Sequence, residues 1–131
     1  MYRNGWASNG GIKSANTKYS FPLIVKHAGS EVYGGPLFFS HYSYLGLNPN
    51  GLADEYVNYG NANISHSNIN YAYCVENPKN FSDYGKDCWG LTASYSRNSN
   101  GDMGYSAHSP SNDTGVISPT AAISSIVYTP E

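Results

Sequence analysis

The sequence predicts a mainly α-helical chain with long irregular loops, and three observations set that class. Apolar and aromatic residues recur at helical spacing from Gly51 to Asn77. A shorter stripe of the same period runs from Leu37 to Leu45. Between Lys79 and Pro119 almost every residue is Gly, Ser, Asn, Asp, Tyr or Trp, and no period emerges. A stretch of about 40 residues without periodicity is far longer than an ordinary connection, and is either functional or disordered. Trp89, Leu91, Tyr95 and Tyr105 within it argue for order.

Each element follows from local chemistry. The run Tyr19-Ser20-Phe21-Pro22-Leu23-Ile24-Val25 reads as an extended segment that Pro22 confines to an edge. Gly34-Gly35-Pro36 opens the first helix, on which Leu37, Phe38, His41, Tyr42 and Leu45 share one face before Gly46 and Pro49 stop it. The second helix is expected to start near Gly51, with Asp54 and Glu55 in its first turn, where carboxylates favour the positive end of the helix dipole. Leu52, Tyr56, Tyr59, Asn63, His66, Asn70, Tyr73 and Cys74 line its inner stripe, and Asn77-Pro78 ends it. So polar a stripe lines a cavity or packs on loops, because buried amides and imidazoles need partners. His66 and Asn70 read as a structural polar layer. Pro119 to Ile126 is a short apolar helix with proline at its first position. Thr129-Pro130-Glu131 has the pattern of a further helix start, as in a truncated domain.

At 131 residues the chain has the length of one domain, and residues 1–131 read as a single segment without internal boundary, repeat or linker. Charged residues are 12% of the sequence, about half the usual share, while Tyr alone contributes 13 residues. A polar but weakly charged surface suits neutral partners such as sugars, whose hydroxyls bond to amides and whose C–H faces stack on rings. An exported hydrophilic domain would share that composition. The seven Lys and Arg are scattered over a chain of net charge −2, which speaks against nucleic acid. No apolar run approaches the roughly 20 residues of a membrane span, and no export signal is visible at Met1–Trp6. Cys74 and Cys88 have no Cys-x-x-Cys companion, so a zinc site is not indicated; a disulfide outside the cytoplasm and two buried thiols both remain open.

Several ordered segments resemble the glycoamylase-like family, which includes glycoside hydrolase family 144. They are Tyr33 to Leu47 (YGGPLFFSHYSYLGL), Asn70 to Pro78 (NYAYCVENP), Tyr84 to Ser94 (YGKDCWGLTAS), Gly104 to His108 (GYSAH), Ile117 to Ser125 (ISPTAAISS), Tyr128 to Glu131 (YTPE) and Gly5-Trp6-Ala7. The resemblance covers nearly the whole chain. It implies a partial (α/α)6 barrel, an incomplete toroid whose missing remainder is supplied elsewhere. It further implies a periplasmic or extracellular location and a glucan oligosaccharide or polysaccharide as partner, of the β-1,2-glucan class, with no cofactor. Two positions depart from the family pattern: Tyr95 stands where an acidic residue is expected, and Tyr71 where arginine is.

Glycoside hydrolysis generally uses two carboxylates astride the scissile bond. Asp54 and Glu55 read as helix-start charges, and Asp102 and Asp113 as turn residues. Glu76 and Asp87 remain as catalytic candidates, with surface loop charge as the plain alternative; the family's main acids are expected upstream of these segments. Trp89 and Tyr105 sit in glycine-rich loops where a ring can face a pyranose, although Trp89 also suits a core plug. His41 and Tyr42 complete the substrate-binding candidates; a core histidine bonded to a carbonyl is the alternative for His41. Two other readings compete: a non-catalytic, all-β carbohydrate-binding module, and an inactive truncated remnant. No Gly-x-Ser-x-Gly or His-Glu-x-x-His motif supports an independent hydrolase.

Overall fold

The computed structural model describes residues 35–54 and 58–130. The expectations placed on Gly5–Ala7, Tyr19–Val25, Tyr33, Gly34, Glu55, Tyr56 and Glu131 lie outside those residues. Helix α1 (Phe38–Ser43) is followed by the long helix α2 (Tyr59–Glu76), strands β1 (Ala93–Arg97) and β2 (Met103–Ala107), helix α3 (Pro119–Ser124) and a 3-10 turn at Ser125–Val127. The chain is thus helical with one two-stranded sheet among the described residues. The 18-residue α2 does not belong in an all-β sandwich, which removes that module as a rival.

Helix α2 starts later than the sequence suggested. Gly51 takes φ +81, and the first helical residue is Tyr59. Asn58 is the cap, its side-chain oxygen accepting the Asn61 N–H at 3.0 Å. Asp54 is therefore no first-turn charge; it accepts a hydrogen bond from the Tyr59 hydroxyl at 2.6 Å. The other end is as expected. Asn77 adopts the left-handed conformation after Glu76, and its side chain bonds both N–H and C=O of Phe81. Helix α1 also stops early, at Ser43 rather than Gly46.

The larger correction concerns Lys79–Pro119, which is not all loop. Ala93 to Ala107 is an antiparallel hairpin in which Tyr95 pairs with Tyr105 and Ala93 with Ala107. Its five-residue connection closes through Asn98 N–H to the Asp102 carbonyl at 2.7 Å and Gly101 N–H to the Asn98 carbonyl at 2.9 Å, with Gly101 at φ +91. The strands alternate, but between Ser or Gly and Ala or Tyr rather than between polar and strongly apolar residues. Such strands carry almost no periodic hydrophobic signal.

The core gathers Ile69, Tyr73 and Cys74 of α2 with Leu91; Tyr84, Trp89 and Ile117 pack against it. Segment 90–92 is the hub. Leu91 N–H donates to Asn70 Oδ1 at 2.9 Å, and the Leu91 carbonyl accepts from both Asn70 Nδ2 at 3.2 Å and Leu37 N–H at 3.0 Å. Thr92 adds its hydroxyl to Phe38 N–H and its carbonyl to His108 N–H. Gly90 has φ +123, and a Cβ there would lie 2.7 Å from the Ser118 carbonyl, so glycine alone lets α3 approach this closely. Cys74 and Cys88 are free thiols, and burial pushes the Cys74 thiol up to about 12.

Candidate functional site

His66, Asn70 and Tyr73 of the α2 polar stripe are spent internally, whereas the buried Asn63 Nδ2 and Ser67 Oγ find no hydrogen-bond partner among the described residues. His66 is buried, and its Nε2–H donates to the Gly35 carbonyl at 2.8 Å. That bond fixes the tautomer, so Nδ1 accepts the Ser40 hydroxyl at 2.6 Å. Burial lowers the ring to about 4, which keeps it neutral at neutral pH. His66 and Asn70 are thus a structural layer, as read from their spacing. Among acids, Asp113 is the surprise. Its Oδ1 accepts Gly115 N–H at 3.0 Å, the expected turn bond. It is also buried, and its two carboxylate oxygens accept the Tyr73 and Tyr84 hydroxyls at 2.8 and 2.7 Å. Burial first, and those bonds second, raise both phenols. Lys79 Nζ donates to the Asp113 carbonyl at 2.7 Å, which ties the Lys79–Tyr84 loop to the 109–115 loop.

On the other side of segment 90–92 a cleft of about 590 Å3 opens between α1, the hairpin and the end of α3. Most of the α1 stripe lines it: Phe38, His41, Tyr42 and Leu45 contribute, together with Tyr44. Ala93, Tyr105 and Ala107 form the hairpin wall, and Thr120, Ala121, Ser124, Val127 and Tyr128 form the third. His41 is held from that third wall. The Ser125 hydroxyl donates to the Ala121 carbonyl at 3.0 Å, so it must accept from His41 Nε2–H at 3.2 Å. Tyr128 lies nearly parallel to the imidazole, centroids 6.1 Å apart and planes at 14°. Desolvation lowers His41 and raises Tyr128, so both are uncharged at neutral pH.

Three of the residues singled out in the sequence, His41, Tyr42 and Tyr105, therefore meet in one cleft. Trp89 is elsewhere: half-buried against the core, with Tyr71 edge-on at 5.5 Å and 80°. Glu76 is exposed in the last turn of α2, and Asp87 is exposed in the turn closed by the Gly85–Cys88 pair. Neither lines the cleft, nor does any other carboxylate among the described residues. No group of three His, Cys, Asp or Glu suited to a metal occurs among them either. Sequence reasoning missed Tyr128 and Ser125, because only the folded chain brings them to His41, 84 residues from Ser125. An uncharged cleft walled by hydroxyls, an imidazole and aromatic faces can hold a neutral polyhydroxylated ligand. It has no general acid of its own.

Comparison with known proteins agrees in class. A family model described as "Glycoamylase: Putative glucoamylase" matches residues 1–131, and the chain belongs to this glycoamylase-like family. It is 40% identical to the exo-β-1,2-glucooligosaccharide sophorohydrolase (non-reducing end) of Parabacteroides distasonis, over all of this chain and 20% of that protein. Among solved structures it is similar to an endo-β-1,2-glucanase from Chitinophaga pinensis in complex with sophorotriose and glucose. The identity is 53% and the TM-score 0.74, covering 98% of this chain and 30% of that one. A β-1,2-glucanase from Parabacteroides distasonis is 37% identical with TM-score 0.70, covering 99% and 20%. The chain thus spans a fifth to three-tenths of the length of these relatives.

Proposed function

We propose that this chain is part of an exported glycoside hydrolase acting on β-1,2-glucan, within which it forms one wall of the sugar-binding cavity. The carrying observation is the uncharged aromatic cleft around His41, in a chain 53% identical to an endo-β-1,2-glucanase that binds sophorotriose and glucose. The neutral His41 ring keeps Nδ1 free to accept a sugar hydroxyl, and phenol groups both donate and accept, all without the desolvation cost of a charge, while Tyr42 and Tyr105 offer flat faces to C–H surfaces. On this reading α1, α2 and α3 are elements of an (α/α)6 barrel whose remaining helices come from outside these residues. The acid and base of hydrolysis lie outside the described cleft lining, on those helices. Glu76 and Asp87 are both solvent-exposed and stand outside that lining.

The test is to titrate the protein with sophorotriose and, separately, to measure sugar release from β-1,2-glucan. Binding without hydrolysis is the expected outcome. Failure to bind any β-1,2-linked oligosaccharide would sink the reading. Hydrolysis that Glu76→Gln or Asp87→Asn abolishes would instead move the catalytic acids into this chain.

A further inference from the structure

We propose that the outward face of the β1–β2 hairpin is a track that carries a bound glucan beyond the cleft, and that Tyr95 on it selects 1,2-linked over 1,4-linked chains. The proposal rests on the glucan-binding reading above. Along this face the cross-strand rows are Ala93 with Ala107, Tyr95 with Tyr105, and Arg97 with Met103. Rows on one face are two residues apart, about 7 Å. The alanine row and Tyr105 line the cleft; Tyr95 does not, so it continues the same surface past the rim. Both tyrosines are open to solvent, at 68% and 67% exposure, which is unusual for paired rings on a strand. Their size changes along the face in a useful order: methyl groups where a sugar must enter, rings at the rim, and the exposed Arg97 with its N–H donors at the outer end.

The angle between the rings gives the selectivity. Tyr95 and Tyr105 meet edge to face, with centroids 5.3 Å apart and planes at 67°. Two faces so inclined cannot both stack on sugars that share a plane. A β-1,4-linked glucan is a flat ribbon and meets only one of them. A 1,2 link joins the anomeric carbon to the carbon beside the next ring's own anomeric centre, which turns successive rings out of a common plane. Such a chain can set one unit on Tyr105 and the next on Tyr95. A carboxylate at position 95 would give hydrogen bonds but no second face.

The experiment compares dissociation constants for sophorotriose and cellotriose in the unaltered protein and in Tyr95→Ala, Tyr95→Leu and Tyr95→Phe. Removing the ring should weaken sophorotriose by about two- to tenfold, the range of one aromatic stacking contact, and leave cellotriose unchanged. Tyr95→Leu keeps apolar bulk and strand propensity without a flat face and should behave as Tyr95→Ala; Tyr95→Phe should retain both affinities. Equal weakening of the two sugars, or none, overturns the track while the glucan reading stands. An unaltered protein that binds neither sugar overturns both.

Discussion

The two sides of segment 90–92 treat polar groups in opposite ways. Toward α2, His66, Asn70 and Tyr73 are buried, and each is committed to a partner in the protein: Gly35 and Ser40, Leu91, and Asp113. Toward the cleft, His41 and the Thr92 hydroxyl are held by hydrogen bonds, while Tyr42 and Tyr105 are exposed. The first arrangement makes polar side chains structural, since a buried donor left alone costs more than its bond contributes. The second leaves hydrogen-bonding capacity for a ligand. Histidine and tyrosine thus build the scaffold on one side and an open surface on the other.

The contrast breaks first at Asn70. Asn70→Leu strips the Leu91 N–H of its acceptor in a dry site, so urea denaturation should show a loss of about 3 to 4 kcal/mol. A loss below about 1 kcal/mol would mean that the α2 side is no more committed than the cleft. A pH series tests His66 next. Its pKa is near 6.5 unfolded and about 4 folded, so the unfolded chain binds one more proton between those values. Its contribution to stability is complete above pH 6.5 and falls as pH drops toward 4, by about 3 kcal/mol in all. His66→Gln should flatten that part of the profile. At Asp113, substitution by alanine leaves the Tyr73 and Tyr84 hydroxyls without their acceptor and should cost about 2 kcal/mol. The smallest stability effect belongs to the other side. His41→Ala should cost about 1 kcal/mol or less by melting, yet weaken sophorotriose about tenfold, equivalent to about 1.4 kcal/mol of binding. If His41→Ala destabilises as much as Asn70→Leu, the two sides are not distinct in kind.

What could be read from the residues follows the same division. The α2 stripe was legible because a helix converts spacing into a shared face, and Asn63, His66, Asn70 and Tyr73 are all on its buried side. His41 and Tyr42 were legible for the same reason on α1. The meaning of the α1 stripe was not: a face of Phe, His, Tyr and Leu looks alike whether it enters a core or lines a cleft, and here it does the second. The start of α2 was misplaced because Asp54 resembles a first-turn acid, while the working cap, Asn58, lies within a sequence already rich in Asn. The hairpin escaped because its inward face is Ser, Gly and Thr, whose alternation with Ala and Tyr carries little hydrophobic contrast. The turn bond of Asp113 is legible in its Asn-Asp-Thr-Gly setting, but its clasp on Tyr73 and Tyr84 spans 40 and 29 residues and has no local signature.

Among the described residues the sheet has two strands and no central member, so the alignment of β1 with β2 depends on the short Asn98–Asp102 crossing at one end and on the His108 N–H to Thr92 carbonyl bond at the other. Sliding one strand by a single position would turn its whole row of side chains over. One of the two tyrosines would then swing beneath the ribbon. Gly101, far out at the tip and absent from the cleft lining, therefore acts as a setscrew for the surface at the cleft mouth: its left-handed backbone holds the offset that keeps both rings on one side.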